Sequence, residues 1–267
     1  MARQKGLVKY SGTMGGVRHF KIKGLQGDFA GLAGGPTDSQ IKHDPAFIRT
    51  RENMSEFGGS ASCAKTIRVG LAQVIKQYSD PRLTGRLTKL MKEINREDTG
   101  NPRGQRSVLV SANQSMLAGL NFDVNTSLAG IFNAPYTLTN TVGRDSATFD
   151  IAAFDPMNLI NAPSGATHFR LMNAISVVSD YVYNGTTGQY EPTDPTLNEL
   201  SDVQFSHYTD LTATTSAISI TTTLPGSPTM TGSTSVLNCI GIEFYQQVGA
   251  NYYLFAQGNA MRVDSVF

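Results

Sequence analysis

The feature that most constrains this chain is a change of pattern across EDTGNPRGQRS, residues 97–107. Before it, apolar residues recur at helical spacing. After it, they alternate, or gather in short runs rich in β-branched and aromatic residues. The two periods belong to different elements, and a chain that uses one and then the other segregates its helices from its strands. The expected fold class is therefore α+β: an N-terminal Gly-rich β arm and a three-helix segment, followed by an antiparallel β-sandwich, with a jelly roll among the topologies it allows. The expected divisions are 1–43 for the arm, 44–107 for the helical segment with its linker, and 108–267 for the sandwich.

The arm holds short alternating runs, GLVKY, VRHFKIK and GDFAGLAG, with turns expected at SGTMGG and KGLQG. So few apolar side chains do not stabilise a free-standing sheet, so the arm needs a surface to lie against. That surface belongs either to its own chain or to a neighbour whose sheet edge it completes. Asp44-Pro45 and Asp80-Pro81 place an N-cap before a first-turn proline, and helices are expected over 45–57, 61–78 and 81–97, broken at Gly58-Gly59 and at Ser79-Asp80. Cys63, Ile67, Leu71, Val74, Ile75 and Tyr78 share one face of the second. Leu83, Leu87, Leu90, Met91 and Ile94 share one face of the third.

Beyond residue 107, period-2 alternation is clearest at Ile218 and Ile220 and at Ile240, Ile242 and Phe244. Asn184-Gly185 and residues 248–251 read as hairpin turns. About eight short strands with no helix between them point to a sandwich.

Catalytic patterns are missing: there is no nucleophile elbow, phosphate-binding loop, dinucleotide fingerprint or zinc signature. His19, His43, His168 and His207 lie in separate segments, and Asp145, Asp150 and Asp155 recur at a spacing unlike an EF-hand loop, although a loop-built calcium site stays open. No catalytic residue, metal site or cofactor is expected, and the protein is read as no enzyme. Tyr190, Tyr252 and Tyr253 are the residues on which a sugar-binding reading would rest. Cys63 and Cys239 lie far apart, so no disulfide framework is expected. The basic N-terminus has no apolar stretch behind it, and no run has the length of a membrane span. The expected location is the cytoplasm, with release by a signal-free route left open, and no membrane partner.

Net charge is +1, but residues 1–107 hold 19 of the 22 Lys and Arg, and 9 of the 21 Asp and Glu. That part carries +10 and the remainder −9. Opposite halves suit either two different partners or two surfaces that attract each other in neighbouring copies. On the third helix Arg82, Arg86, Lys89, Lys92 and Arg96 fall in one sector. The stripe reads three ways: a solvated face, a dock for an acidic protein, or a track for a phosphate backbone. Glu93 and Glu97 dilute it, and no aromatic residue interleaves it.

The densest polar run is DPAFIRTRENMSEFGG, residues 44–59. Phe47 and Met54 share a face with Arg51 between them. Arg49 and Glu52 are spaced for a helical ion pair, and Glu52 and Glu56 stack where a further cation is wanted. A polar helix surface, a joint between elements or subunits, and a catalytic Arg/Glu pair all fit this pattern. The joint, with Phe20 and Phe29 of the arm, Phe47, Arg49, Arg51, Glu52 and Glu56, is the preferred reading.

Three stretches, KGLVKYSGTMGGVRHFKIK, DPAFIRTRENMSEFGGSASCAKTIR and GIEFYQQVGANYYLFAQGNAMRVD, resemble a family of uncharacterised bacterial proteins. Its members share a Gly-Thr-x-Gly-Gly arm, a D-P-A-F-x-R-T-R-E-N-x-x-E-F-G run and a hairpin near the end. The resemblance brings no activity with it; it implies that arm, helices and sandwich form one building block. The arm VRHFKIKGLQGDFAG departs from its relatives' more charged and aromatic hairpin, so its pairing is open. The expected function is a structural subunit that assembles head to tail with copies of itself into a filament, tube or shell, by arm exchange and complementary charge. The alternative is a nucleic-acid-binding or capsid-like module working through helix 81–97.

Overall fold

The computed structural model describes residues 2–267. The chain divides into two compact units, one ending at Arg51 and one running Glu52–Phe267.

The first unit carries four short antiparallel strands, β1 (Ala2–Arg3), β2 (Gly12–Met14), β3 (Val17–Phe20) and β4 (Phe29–Leu32), in the order β1-β4-β3-β2. The β2–β3 turn falls at Gly15 and Gly16, both at positive φ, as the glycine pattern predicts. Phe20 sits directly opposite Phe29, and the two rings stack at 6.4 Å. Helix α1 (Asp38–His43) is a feature the sequence reading passed over; Thr37 caps it in a reciprocal box with Gln40. Asp44 then accepts from the Ala46 N–H at 2.8 Å and starts the 3-10 turn Pro45–Phe47. No described residue of this unit is buried.

Helix α2 (Ile48–Gly70) runs 23 residues without the expected break at Gly58-Gly59. Glycine weakens a helix but does not end one when packing holds it. The buried residues of α2 are Glu56, Gly59, Ser60, Cys63, Ala64, Thr66, Ile67 and Gly70, spaced three and four apart. Most are small, which lets the helix axis approach what it covers. A Cβ on Gly70 would lie 2.1 Å from Ser176 Oγ. The helix stops there, short of the expected 78, and a turn leads to α3 (Ile75–Tyr78). Then α4 (Leu83–Glu97) buries Leu83, Leu87, Met91 and Ile94, as its periodicity predicts.

The remainder is mostly strand: α5 (Leu128–Ile131), β5 (Tyr136–Asn140), β6 (Ser146–Ile151), α6 (Pro156–Leu159), β7 (His168–Ser179), β8 (Tyr181–Asn184), β9 (Gln189–Pro192), β10 (Ser201–Phe205), β11 (Thr209–Asp210), β12 (Ile218–Thr223), β13 (Thr234–Val248), β14 (Asn251–Leu254) and β15 (Ala260–Val266). The main sheet runs β10-β7-β13-β14, with β11 on β7 and β15 on β13; a second sheet runs β12-β6-β5. Every pairing is antiparallel, and β7 with β13 pairs from Thr234↔Ser179 to Tyr245↔His168.

The two faces of the main sheet meet different layers. Met172, Ala174 and Val178 of β7 join Leu237, Cys239 and Val263 in one core with Cys63, Ile67, Leu87, Met91 and Ile94 of the helices. The helices expected as a segment over 44–107 thus share a core with the sheet. On the opposite face, Phe169, Leu171, Ile240, Ile242 and Phe244 pack against Phe149, Ile151 and Ile220 of the second sheet. Covered on both sides, β7 and β13 are buried along nearly their whole length, which is how a central strand between two layers behaves. Some of their polar groups are satisfied in place: Asn238 Nδ2 donates to Asn173 Oδ1 at 2.6 Å, and Asn173 Nδ2 donates to the carbonyls of Ala147 and Ile220 at 3.0 Å, whereas Asn238 Oδ1 and Ser176 Oγ are buried without a hydrogen-bond partner. Among the described residues no helix is long and apolar enough to cross a membrane.

Candidate functional site

The polar run of α2 spreads its side chains over several partners. Arg51 donates through Nη1 to the carbonyls of Ile41, at 2.8 Å, and Asp44, at 3.0 Å, the last carbonyls around α1, where a cation is favourable. Arg49 is exposed and Phe47 half-buried. In the second unit Glu52 lies 3.5 Å from Arg103, and Ser55 Oγ donates to the Gly104 carbonyl at 2.7 Å.

Glu56 is the centre of this run. Its side chain is 1% exposed. Arg106 grips it at two points, Nε to Oε1 at 2.8 Å and Nη2 to Oε2 at 2.7 Å, and the Gly104 N–H donates to Oε1 at 2.8 Å. Lys92 of α4 donates to Oε2 and also to Asn95 Oδ1. Asn95 in turn holds the carbonyls of Arg106 and Ser107. Burial alone would raise the Glu56 carboxyl, but Arg106, Lys92 and the Gly104 N–H outweigh it and bring it down to about 2. One carboxylate thereby pins α2, α4 and the 97–107 segment together.

The same segment is held from a second side. The Tyr190 O–H donates to the Arg106 carbonyl at 3.0 Å, and its ring lies on Gly59, where a Cβ would come within 2.4 Å. Asp98 closes the 98–107 loop by accepting from the N–H groups of Gly100 and Ser107. The sequence marked Glu56 but missed Arg106, 50 residues further on, and offered Tyr190, 134 residues further on, only as a sugar-binding residue and not as part of this joint.

The stripe on α4 separates into two sets. Arg86 turns inward: it donates to Asp80 Oδ2 at 2.6 Å and to the carbonyls of Asn121 and Phe122, both at 2.7 Å. Lys92 is committed to Glu56. Arg82, Lys89 and Arg96 are exposed, and Lys89 pairs with Glu93 at 3.8 Å. The outward field is weaker than five cations in one sector imply.

Between α2 and α4, away from the sheet, an open groove of about 590 Å³ is lined by Phe57, Ala61, Thr84, Gly85, Thr88, Lys89 and Arg96 among others. Phe57 is 58% exposed and Met54 59%. The sequence reading gave no role to Phe57 or Gly85; an aromatic residue in the outward sector of α2 was the available signal.

The three tyrosines of the sugar-binding reading do not converge. Tyr190 serves the joint just described, Tyr252 stacks on Tyr208 at 4.1 Å, and Tyr253 is exposed on β14. Among the described residues no group of three or more His, Cys, Asp or Glu is arranged to hold a metal ion. Asp155 instead caps α6 through the Met157 N–H, and Asp145 accepts from the Thr141 hydroxyl at 2.6 Å.

No protein-family model, curated protein or solved structure matches the chain.

Proposed function

We propose that this chain is a non-enzymatic structural subunit that assembles with copies of itself into a filament, tube or shell. The observation that carries the reading is the first unit: not one of its described residues is buried, yet it displays Leu7, Val8, Tyr10, Met14, Leu25 and Leu32 to solvent. A short-stranded sheet of this kind lacks the apolar burial that stabilises a sheet alone, so a surface on another copy is its natural complement. The edge strands β1 and β2 offer main-chain groups for such an exchange.

Charge supports the same reading. Residues 1–51 carry nine Lys and Arg against three Asp and Glu, a net +6, so residues 52–267 carry −5. Complementary surfaces on one chain favour head-to-tail contacts, which close into rings or run on as open filaments. The nucleic-acid alternative is weakened because Arg86 and Lys92 are occupied by Asp80 and Glu56.

Negative-stain microscopy of the purified protein, with light scattering across a salt series, tests the proposal. Ordered polymers that dissociate as salt rises are expected, and removal of residues 1–35 should leave folded protein that no longer assembles. A monomer at high concentration, indifferent to salt, overturns it.

A further inference from the structure

We propose that the groove between α2 and α4 is the socket into which the acidic part of a second copy docks; this rests on the self-assembly reading above. Three observations at the groove lead there.

The first is Phe57. Its ring stands at the groove wall with more than half its surface in solvent, beside Ala61 and with Met54 one turn earlier. A single exposed aromatic is ordinary; one at the wall of an apolar groove roomy enough for several side chains is an anchor point of the kind that interfaces use.

The second is Gly85. It sits inside α4, where glycine weakens a helix relative to alanine. The buried glycines of this chain have a neighbour that excludes a side chain, as Tyr190 does at Gly59 and Ser176 at Gly70, whereas Gly85, like Gly58 of α2, is exposed. A Cβ on Gly85 would meet nothing within 4 Å. No contact inside the chain requires the glycine, and a bare helix surface at the groove floor is what the close approach of another molecule requires.

The third is charge. Lys89 and Arg96 stand exposed at the rim and Lys92 lies beside them, so the lining carries three cations against one carboxylate, Glu93, which is 3.8 Å from Lys89. Residues 108–267 hold twelve Asp and Glu against three Arg, and all three arginines are already engaged: Arg170 with Glu243, Arg262 with Asp264, and Arg144 with the carbonyls of Thr231 and Thr234. The outward field of that part is therefore acidic, with Glu199 and Asp210 among its exposed carboxylates. The occupant it selects is an apolar side chain flanked by carboxylates on another copy, rather than a polyanion, because the groove itself is apolar.

The test uses the full chain in sedimentation velocity at low and high salt, with Phe57→Ser and Gly85→Leu variants and thermal melts of each. Both variants should weaken association at least tenfold, while Phe57→Ser leaves the melting temperature unchanged and Gly85→Leu leaves it unchanged or higher. The two lie on different helices, so misfolding of one leaves the other to decide. In a mixture of isotopically heavy and light protein, carbodiimide cross-links from Lys89 should reach carboxylates of residues 108–267 in the other copy. If wild type and both variants assemble alike, the groove is not the contact although self-assembly stands. If cross-links from Lys89 reach only residues before 108, the occupant is wrong. If wild type itself stays monomeric, both proposals fall together.

Discussion

Glu56 and Arg106 form a two-point ion pair, Nε to Oε1 at 2.8 Å and Nη2 to Oε2 at 2.7 Å, across 50 positions of sequence. Their carboxylate is buried and shared with Lys92, so the pair behaves as one unit with α4. A buried ion pair adds little stability over a well-packed apolar substitute, but removing one member strands the other in a poor solvent.

Glu56→Gln keeps the shape and removes the charge, leaving Arg106 and Lys92 without their counter-ion. The expected loss is about 3–5 kcal/mol, read as a fall in melting temperature of about 2–4 °C per kcal/mol for a unit of this size. A melt within 2 °C of wild type would show that the knot is incidental.

The same carboxyl gives an acid limb. Its folded value, about 2, lies below the unfolded value of 4.5, so its contribution is complete above roughly pH 5 and is lost as pH falls from there toward 2. Melting temperatures of wild type should drop across that window more steeply than those of Glu56→Gln. Parallel curves for the two proteins would refute the assignment.

Adjacent glycines should respond with opposite signs. A Cβ at Gly59 would lie 2.4–2.7 Å from ring atoms of Tyr190, and that ring is held by its hydroxyl on Arg106, so it cannot simply swing away. Gly59→Ala is expected to cost roughly 1–3 kcal/mol as overpacking. Gly58 has nothing within 4 Å, and Gly58→Ala should gain roughly 0.5–1 kcal/mol from helix propensity alone. Urea midpoints of both variants decide it; equal shifts would mean that the ring is not the constraint.

These glycines also show what was legible beforehand. Local information served well: Asp44 and the proline after it did start a helical turn, Cys63, Ile67, Leu71, Val74 and Tyr78 did turn inward, and Ile240, Ile242 and Phe244 did point together into a core. Gly58-Gly59 looked like a break because propensity is local, whereas the reason for Gly59 is a tyrosine on a distant hairpin. The α4 stripe misled for a related reason. A helical wheel assigns Arg86 and Lys92 a direction, but the carbonyls of Asn121 and Phe122 and the Glu56 carboxylate that receive them arrive from other parts of the chain. The buried face of α2 is written in Gly, Ser, Ala and Thr, so apolar periodicity does not reveal it before Cys63.

Both cysteines are free and fully buried. Burial raises each thiol well above its ordinary value, with Asp180 adding to this at Cys63 and Asp264 at Cys239, so the reactive thiolate is suppressed. A thiol reagent should leave the native protein unlabelled at pH 8 and modify both residues in denaturant. Rapid native labelling of either would mean that the helix layer opens readily over the sheet.

The last prediction separates the two kinds of cation on α4. Arg86 donates to Asp80 and to two carbonyls that end the 117–122 segment beside β15, and Asp80 also accepts from the Val124 N–H at 3.0 Å. Burial works against ionisation of Asp80, yet these donors together hold its carboxyl below the ordinary range. Arg86→Met should therefore cost about 1.5–3 kcal/mol, the loss expected for hydrogen bonds to a charged group. Lys89→Met removes an exposed partner of Glu93 and should leave the melt unchanged, since such pairs are screened by solvent. Assembly should reverse the order, with Lys89→Met weakening it and Arg86→Met acting only in proportion to lost fold. An unchanged melt in both variants would mean that the stripe is one continuous solvated face after all, as the helical wheel alone suggests.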